Sequence, residues 1–150
     1  MQPSHEEPLP RVVVLTAKAI RAYFEDALAE AGASLATWVV LSGIDRGRWD
    51  NQRGLARDLR IEGATLTRHL DRMERDGLIV RTRDPRDRRQ VRAELTAAGR
   101  GLHDTLKAIA TKTGRRACDG LSGDEQQMLR RLLEQIRTNV GGDDANRGAA

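Results

Sequence analysis

Apolar residues recur along this chain at two spacings, and the change from one to the other marks out its elements. From about Arg11 to Ala31, Val12, Leu15, Ala19, Tyr23, Phe24, Ala27, Leu28 and Ala31 keep helical spacing until Gly32 ends the run. Ser34 is placed to cap a second helix, with Leu35, Trp38, Leu41 and Ser42 on one side and Val39, Val40 and Ile44 widening the stripe. After the connection Gly47-Arg48-Trp49-Asp50, with Asp50 as a candidate cap, a short helix carries Leu55, Ala56 and Leu59. A turn over Arg60–Gly63 leads into a helical run from Ala64 to Asp76, stopped by Gly77. Spacing then drops to two. Leu78–Arg83 and Gln90–Leu95 alternate as strands, Val80 and Thr82 against Arg81 and Arg83, and Val91, Ala93 and Leu95 against Arg92 and Glu94. Thr96 caps a long helix from about Ala97 to Cys118, whose stripe is Leu102, Leu106, Ile109, Ala110, Thr113 and Ala117. Gly99 and Gly101 near its start permit close packing on the hairpin or the first helix. Gly120-Leu121 breaks it, and Ser122-Gly123-Asp124-Glu125 is a capping box opening a last helix with Met128, Leu129, Leu132, Leu133, Ile136 and Val140.

The predicted fold is therefore mainly α with a small β-hairpin. Helix, turn, helix and hairpin in that order make a winged helix-turn-helix, with further helices at both ends. Residues 1–9 read as a flexible arm, 10–140 as one domain with its core motif at about 34–96, and 141–150 as a tail too poor in apolar residues to order itself. The end helices expose more apolar surface than one small motif covers, which a second copy of the chain would satisfy by two-fold packing.

The Ala64–Asp76 helix divides sharply. At about 100° per residue, Leu66, Leu70 and Met73 share one stripe, while Ala64, Arg68, Arg72 and Arg75 face the other way, flanked by Thr65 and Thr67. A helix entering a DNA major groove needs a packed inner side and an outer side with small residues and donors. The same pattern also fits a solvated surface helix in which Asp71 pairs with Arg75 and Arg72 with Asp76. The hairpin favours the first alternative. Arg81, Arg83, Arg86, Arg88, Arg89 and Arg92 stand against only Asp84 and Asp87, and Pro85 sits at the tip. Phosphate is the natural partner for so much concentrated positive charge, and a minor groove focuses negative potential on an inserted arginine.

Leu55-Ala56, Ala64-Thr65-Leu66-Thr67-Arg68, Asp71-Arg72-Met73-Glu74-Arg75-Asp76-Gly77-Leu78-Ile79-Val80-Arg81, Asp87-Arg88-Arg89 and Leu95-Thr96-Ala97-Ala98-Gly99 together resemble the MarR family of bacterial transcriptional regulators. The resemblance implies a homodimer on a pseudo-palindromic operator in double-stranded DNA, usually a repressor. Ala64, Thr65, Thr67, Arg68, Arg72 and Arg75 would lie on the recognition helix, and Arg86, Asp87, Arg88 and Arg89 on the wing. Arg89 would be the minor-groove arginine and Asp87 its orienting partner. Glu62 stands where the family usually has Ser or Thr as a cap. Many relatives respond to a small aromatic or phenolic effector between the dimer helices and the winged helix; Tyr23, Trp38 and Trp49 are the aromatic candidates for such a pocket.

Composition narrows the alternatives. The chain has 150 residues, net charge +4 and 26 basic residues, of which only Lys18, Lys107 and Lys112 are lysines. That arginine bias suits phosphate and guanine. Aromatic content of 3% argues against single-strand binding by stacking. His5, His69 and His103 lie in separate elements without metal-site spacing, so no metal and no cofactor is expected. His69 suits a phosphate or base contact as well as a helix surface. Cys118 excludes an internal disulfide and is not near the first helix, where peroxide-sensing relatives carry their cysteine. No acid/base constellation points to an enzyme. No membrane span or basic-then-apolar leader is read, so the expected location is the cytoplasm. The competing class is a dimeric small-molecule-binding or protein-interaction module that does not meet DNA.

Overall fold

A computed structural model describes residues 7–47, 51–83 and 91–141. Its elements are α1 (Leu9–Glu30), α2 (Leu35–Arg46), α3 (Gln52–Leu59), α4 (Gly63–Arg75), β1 (Ile79–Arg83), β2 (Val91–Leu95), α5 (Ala97–Ala117) and α6 (Gly123–Gly141). They form two compact units that divide within α5, Met1–Thr113 and Gly114–Ala150.

In the first unit α2 is the central helix, and α3, α4 and β2 pack on it. Its broad stripe explains that place: Val40, Leu41, Ser42, Gly43 and Ile44 are all buried. Ser34 caps it, the hydroxyl accepting from the Thr37 N–H at 3.2 Å. The core joins Leu28, Val40, Leu41, Ile44, Leu55, Ala56, Leu66, Leu70, Met73, Ile79, Leu95 and Leu106. Fully burying one such leucine contributes about 2 kcal/mol. From α1 only Leu28 is buried, while Leu9, Val12, Val14, Leu15, Ile20 and Tyr23 are exposed. Helix α1 begins two residues before the expected Arg11, with Pro8 as its N-cap.

The hairpin is antiparallel, pairing Ile79 with Leu95, Arg81 with Ala93 and Arg83 with Val91. Its phase on β1 corrects the sequence expectation. Val80 and Thr82 face out, whereas Ile79 and Arg81 turn inward with Ala93 and Leu95. The reason lies on α4, whose acids receive Arg81. A second correction concerns α3: its cap is Asn51, whose Oδ1 accepts from the Gly54 N–H at 2.9 Å. Asp50, the expected cap, lies outside the described residues.

Helix α5 starts in the closest backbone contact of the hairpin base. Thr96 donates its hydroxyl to the Gly77 carbonyl at 2.7 Å and accepts from the Gly99 N–H at 3.0 Å, while its own N–H donates to the Leu78 carbonyl at 3.0 Å. Gly99 has no room for a side chain: a Cβ there would sit 1.9 Å from the Leu78 oxygen. The expected close packing of Gly99 is thus on the entry to the hairpin.

In the second unit, Ser122 and Glu125 form the expected capping box, with Ser122 N–H to Glu125 Oε2 at 2.8 Å and Glu125 N–H to Ser122 Oγ at 3.3 Å. No residue of α6 is buried, and Met128, Leu129, Leu132, Leu133 and Val140 are exposed. Among the described residues no single helix is long and apolar enough to cross a membrane.

Candidate nucleic-acid interface

Helix α4 carries the division read from its sequence. Leu66, Leu70 and Met73 are buried, and Ala64, Arg68, Arg72 and Arg75 are exposed. Glu62 is its N-cap and makes no side-chain capping bond, as expected for Glu in place of Ser or Thr. The turn before it contains Arg60 at φ +52°, a left-handed conformation that favours glycine. An exposed arginine held in that strained turn, beside the start of α4, is a basic group that sequence reasoning passed over.

Among the described residues the outer arginines are at most loosely paired. Arg68 and Arg75 make no ion pair among the described residues, and Arg72 only approaches Asp76, at 3.8 Å with its side chain 78% exposed. Such a surface pair is worth little and yields readily to phosphate. Of the two pairs a surface-helix reading would need, Asp71–Arg75 does not form.

Asp71 has a different partner. Arg81 Nη2 lies 2.6 Å from Asp71 Oδ1 and 2.6 Å from Glu74 Oε2. Its Nε donates to Glu74 Oε2 at 2.9 Å, and its backbone N–H donates to Glu74 Oε1 at 3.2 Å. Hydrogen bonds from Arg81, helped by its charge, hold the Glu74 carboxyl below its ordinary value, and the same bonds raise the Arg81 guanidinium. Arg81 therefore ties β1 to α4 and leaves the pool of cations available to DNA. Alternation alone could not reveal this, since the acids lie on another element.

Thr65 is half-buried on one flank of the outer face. Thr67, on the other, is engaged within the protein: it accepts from Gln52 Nε2 at 2.6 Å and donates to the Gly63 carbonyl at 2.9 Å. His69 is half-buried on the same helix. Arg83 and Arg92, at the hairpin's outer ends, are exposed. Arg86, Asp87, Arg88 and Arg89 lie outside the described residues.

The two described aromatic candidates, Tyr23 and Trp38, do not pair with each other. Trp38 is half-buried, edge-on to Phe24 with ring centroids 6.1 Å apart. It also stacks on His103 at 5.6 Å and an interplanar angle of 11°. His103 is buried, with Nδ1 3.9 Å from Asp45 Oδ1. Phe24 and His103 were not singled out as pocket residues, although His103 follows Leu102 on the inner stripe of α5. Tyr23 is 47% exposed on α1 and joins neither ring pair. Trp49 lies outside the described residues. A cleft of about 360 Å³ opens elsewhere, lined by Asp45, Gly47, Arg92, Glu94, Leu95 and Arg100 among others. No cluster of metal-ligating side chains occurs among the described residues.

The MarR family model matches residues 34–91, from the cap of α2 to the start of β2. The transcriptional regulator PA3341 is 32% identical, over 89% of this chain and 98% of that one, with a TM-score of 0.74. The chain belongs to the MarR family. Two more distant structures share its fold. A cysteine-to-serine variant of MarR from E. coli, complexed with operator DNA, is 24% identical over 87% of this chain and 94% of that one, with a TM-score of 0.75. CouR from Rhodococcus jostii RHA1, bound to p-coumaroyl-CoA, is 22% identical over 91% of this chain and 94% of that one, with a TM-score of 0.73. Members of the MarR family are transcriptional regulators, and the mainly helical body with its two-stranded wing is the architecture of those structures.

Proposed function

We propose that this MarR-family chain is a sequence-specific regulator of transcription that binds double-stranded DNA as a homodimer and releases it in response to a small ligand, acting most simply as a repressor. The observation that carries this reading is the outer face of α4: Ala64, Arg68, Arg72 and Arg75 stand exposed on a helix whose inner side is buried. The operator complex of the E. coli relative supports the same use of the fold.

Thr65 and Arg68 are assigned to base edges, with Arg68 suited to guanine through its paired donors. Arg72 and Arg75, further along the helix, are assigned to phosphates, and Arg86, Arg88 and Arg89, oriented by Asp87, to the wing. Thr67 is given a more limited role, because its only proton is committed to the Gly63 carbonyl. The exposed leucines of α6 and, separately, the exposed apolar residues of α1 each offer surface to a second copy. Two-fold symmetry would then set the recognition helices into successive major grooves about 10 base pairs apart.

Ligand response is supported by CouR, which binds an aromatic acyl thioester. In this chain Trp38, edge-on to Phe24 and stacked on His103, is the ring we assign to an aromatic or phenolic effector, with Tyr23 and Trp49 as further candidates. The chain acts by binding rather than catalysis, and it works in the cytoplasm. The test is a mobility-shift titration on the DNA upstream of its own gene at two salt concentrations. A specific complex that persists over competitor DNA is expected; equal affinity for unrelated duplex, or none for any, overturns the reading.

A further inference from the structure

One flank of α4 is clipped at three successive positions. Thr67, Asp71 and Glu74 stand at i, i+4 and i+7, a single stripe on a helix. Arg81 of β1 holds the latter two. Gln52, the first residue of α3, holds Thr67, its Nε2 donating to Thr67 Oγ1 at 2.6 Å. Among the described residues this is the only side-chain hydrogen bond between the two helices of the motif. The backbone under Gln52 is itself fixed by the Asn51 cap.

A threonine hydroxyl has one proton and two lone pairs. In Thr67 the proton goes to the Gly63 carbonyl at 2.9 Å, on an exposed part of the helix. Toward Gln52 the oxygen must therefore accept, which leaves a single lone pair and no proton. The oxygen that remains is an acceptor only.

We propose that Gln52 is a specificity-determining positioning residue of the DNA interface. It holds the Thr67 side chain in the rotamer whose hydroxyl proton goes to the Gly63 carbonyl, so that the base pair beneath Thr67 is read through an exocyclic amino group. In the major groove adenine and cytosine offer such a donor, whereas guanine and thymine offer acceptors there. Without Gln52 the Thr67 side chain leaves that rotamer, its proton is no longer committed to Gly63, and that position loses its preference. This proposal rests on the DNA-binding reading above.

The test starts from a duplex that the wild-type chain selects from a randomised library, followed by every single-base-pair variant of it. Gln52→Ala is expected to flatten the preference for adenine or cytosine at one position per half-site by about tenfold. Other positions and the salt dependence should not change. Thr67→Val should do the same, Thr67→Ser should restore the preference, and Gln52→Ala combined with Thr67→Val should lose nothing more. Where Gln52→Ala unfolds, Gln52→Met, which keeps the length of the side chain and removes only its donor, gives the same comparison. Uniform weakening with a shallower salt dependence makes Gln52 a phosphate contact and overturns the proposal. So does binding that is unchanged when the adenine or cytosine at the Thr67-dependent position is replaced by an analogue lacking the exocyclic amino group. A wild-type chain that selects no sequence overturns the DNA-binding reading itself; one that selects a sequence still read unchanged by both Gln52→Ala and Thr67→Val overturns this proposal alone.

Discussion

Replacing Gly99 by Ala is the sharpest probe of how the motif is held. The added methyl would lie 1.9 Å from the Leu78 oxygen and 2.9 Å from its carbonyl carbon. Ordinary contact needs more than 3 Å, so α5 and Leu78 must part by over an ångström. The obstacle is backbone, which cannot rotate aside as a side chain can. Parting also stretches the Thr96 N–H to Leu78 bond, now 3.0 Å, a loss of about 1 kcal/mol. Replacing a helical glycine by alanine returns about 1 kcal/mol, offsetting that loss. What remains is the overpacking cost at its upper end, about 3 kcal/mol. For a chain of this length that lowers Tm by about 10 °C. Gly101→Ala, two residues on, meets nothing within 4 Å and should be neutral or stabilise by up to about 1 kcal/mol. Urea and thermal melts of the two variants give the comparison. If Gly99→Ala melts with Gly101→Ala, the claim that α5 bears directly on Leu78 is wrong.

Other expectations follow from the site. Glu74 ionises more readily folded than its ordinary value of 4.5, so its contribution to stability is fully present above that value and disappears as pH falls through the lower, folded one; Glu74→Gln should flatten the acid limb of urea midpoints below pH 4.5. Arg68→Ala should cost about 1–3 kcal/mol at one operator position and relax the choice of base there. Arg72→Ala should instead weaken binding to every sequence and reduce the salt dependence, and identical behaviour of the two variants in fluorescence-anisotropy titrations would remove the assigned roles. Leu132→Asp, at a residue 54% exposed on α6, should leave helical content unchanged but turn a sedimenting dimer into a monomer; a dimer that persists argues against this face as the interface.

Local chemistry was the most legible part of this protein. Ser34, Thr96 and the Ser122–Glu125 box cap the helices they were expected to cap, because a cap depends on residues three positions apart. The three buried residues of α4 follow from period alone. What periodicity could not supply was the partner of a polar side chain. Arg81 looked like one more wing cation until Asp71 and Glu74, on another element, turned the whole strand around. Thr67 looked like a free reader until Gln52 reached it from fifteen residues away. Asn51 displaced Asp50 as a cap by one position, a margin that propensity does not resolve. His103 was read by its chemistry as a lone histidine, whereas its place on α5 puts it beneath Trp38.

The junction at Leu78 has a mechanical meaning. Its carbonyl abuts α5 with no side chain between, and its N–H donates to the Met73 carbonyl at 2.9 Å, in the final turn of α4. One peptide plane and its neighbour therefore link three elements with no slack to absorb displacement. A tilt of the first turns of α5 would therefore strain both junctions together, pulling on the strand and on the end of α4 at once.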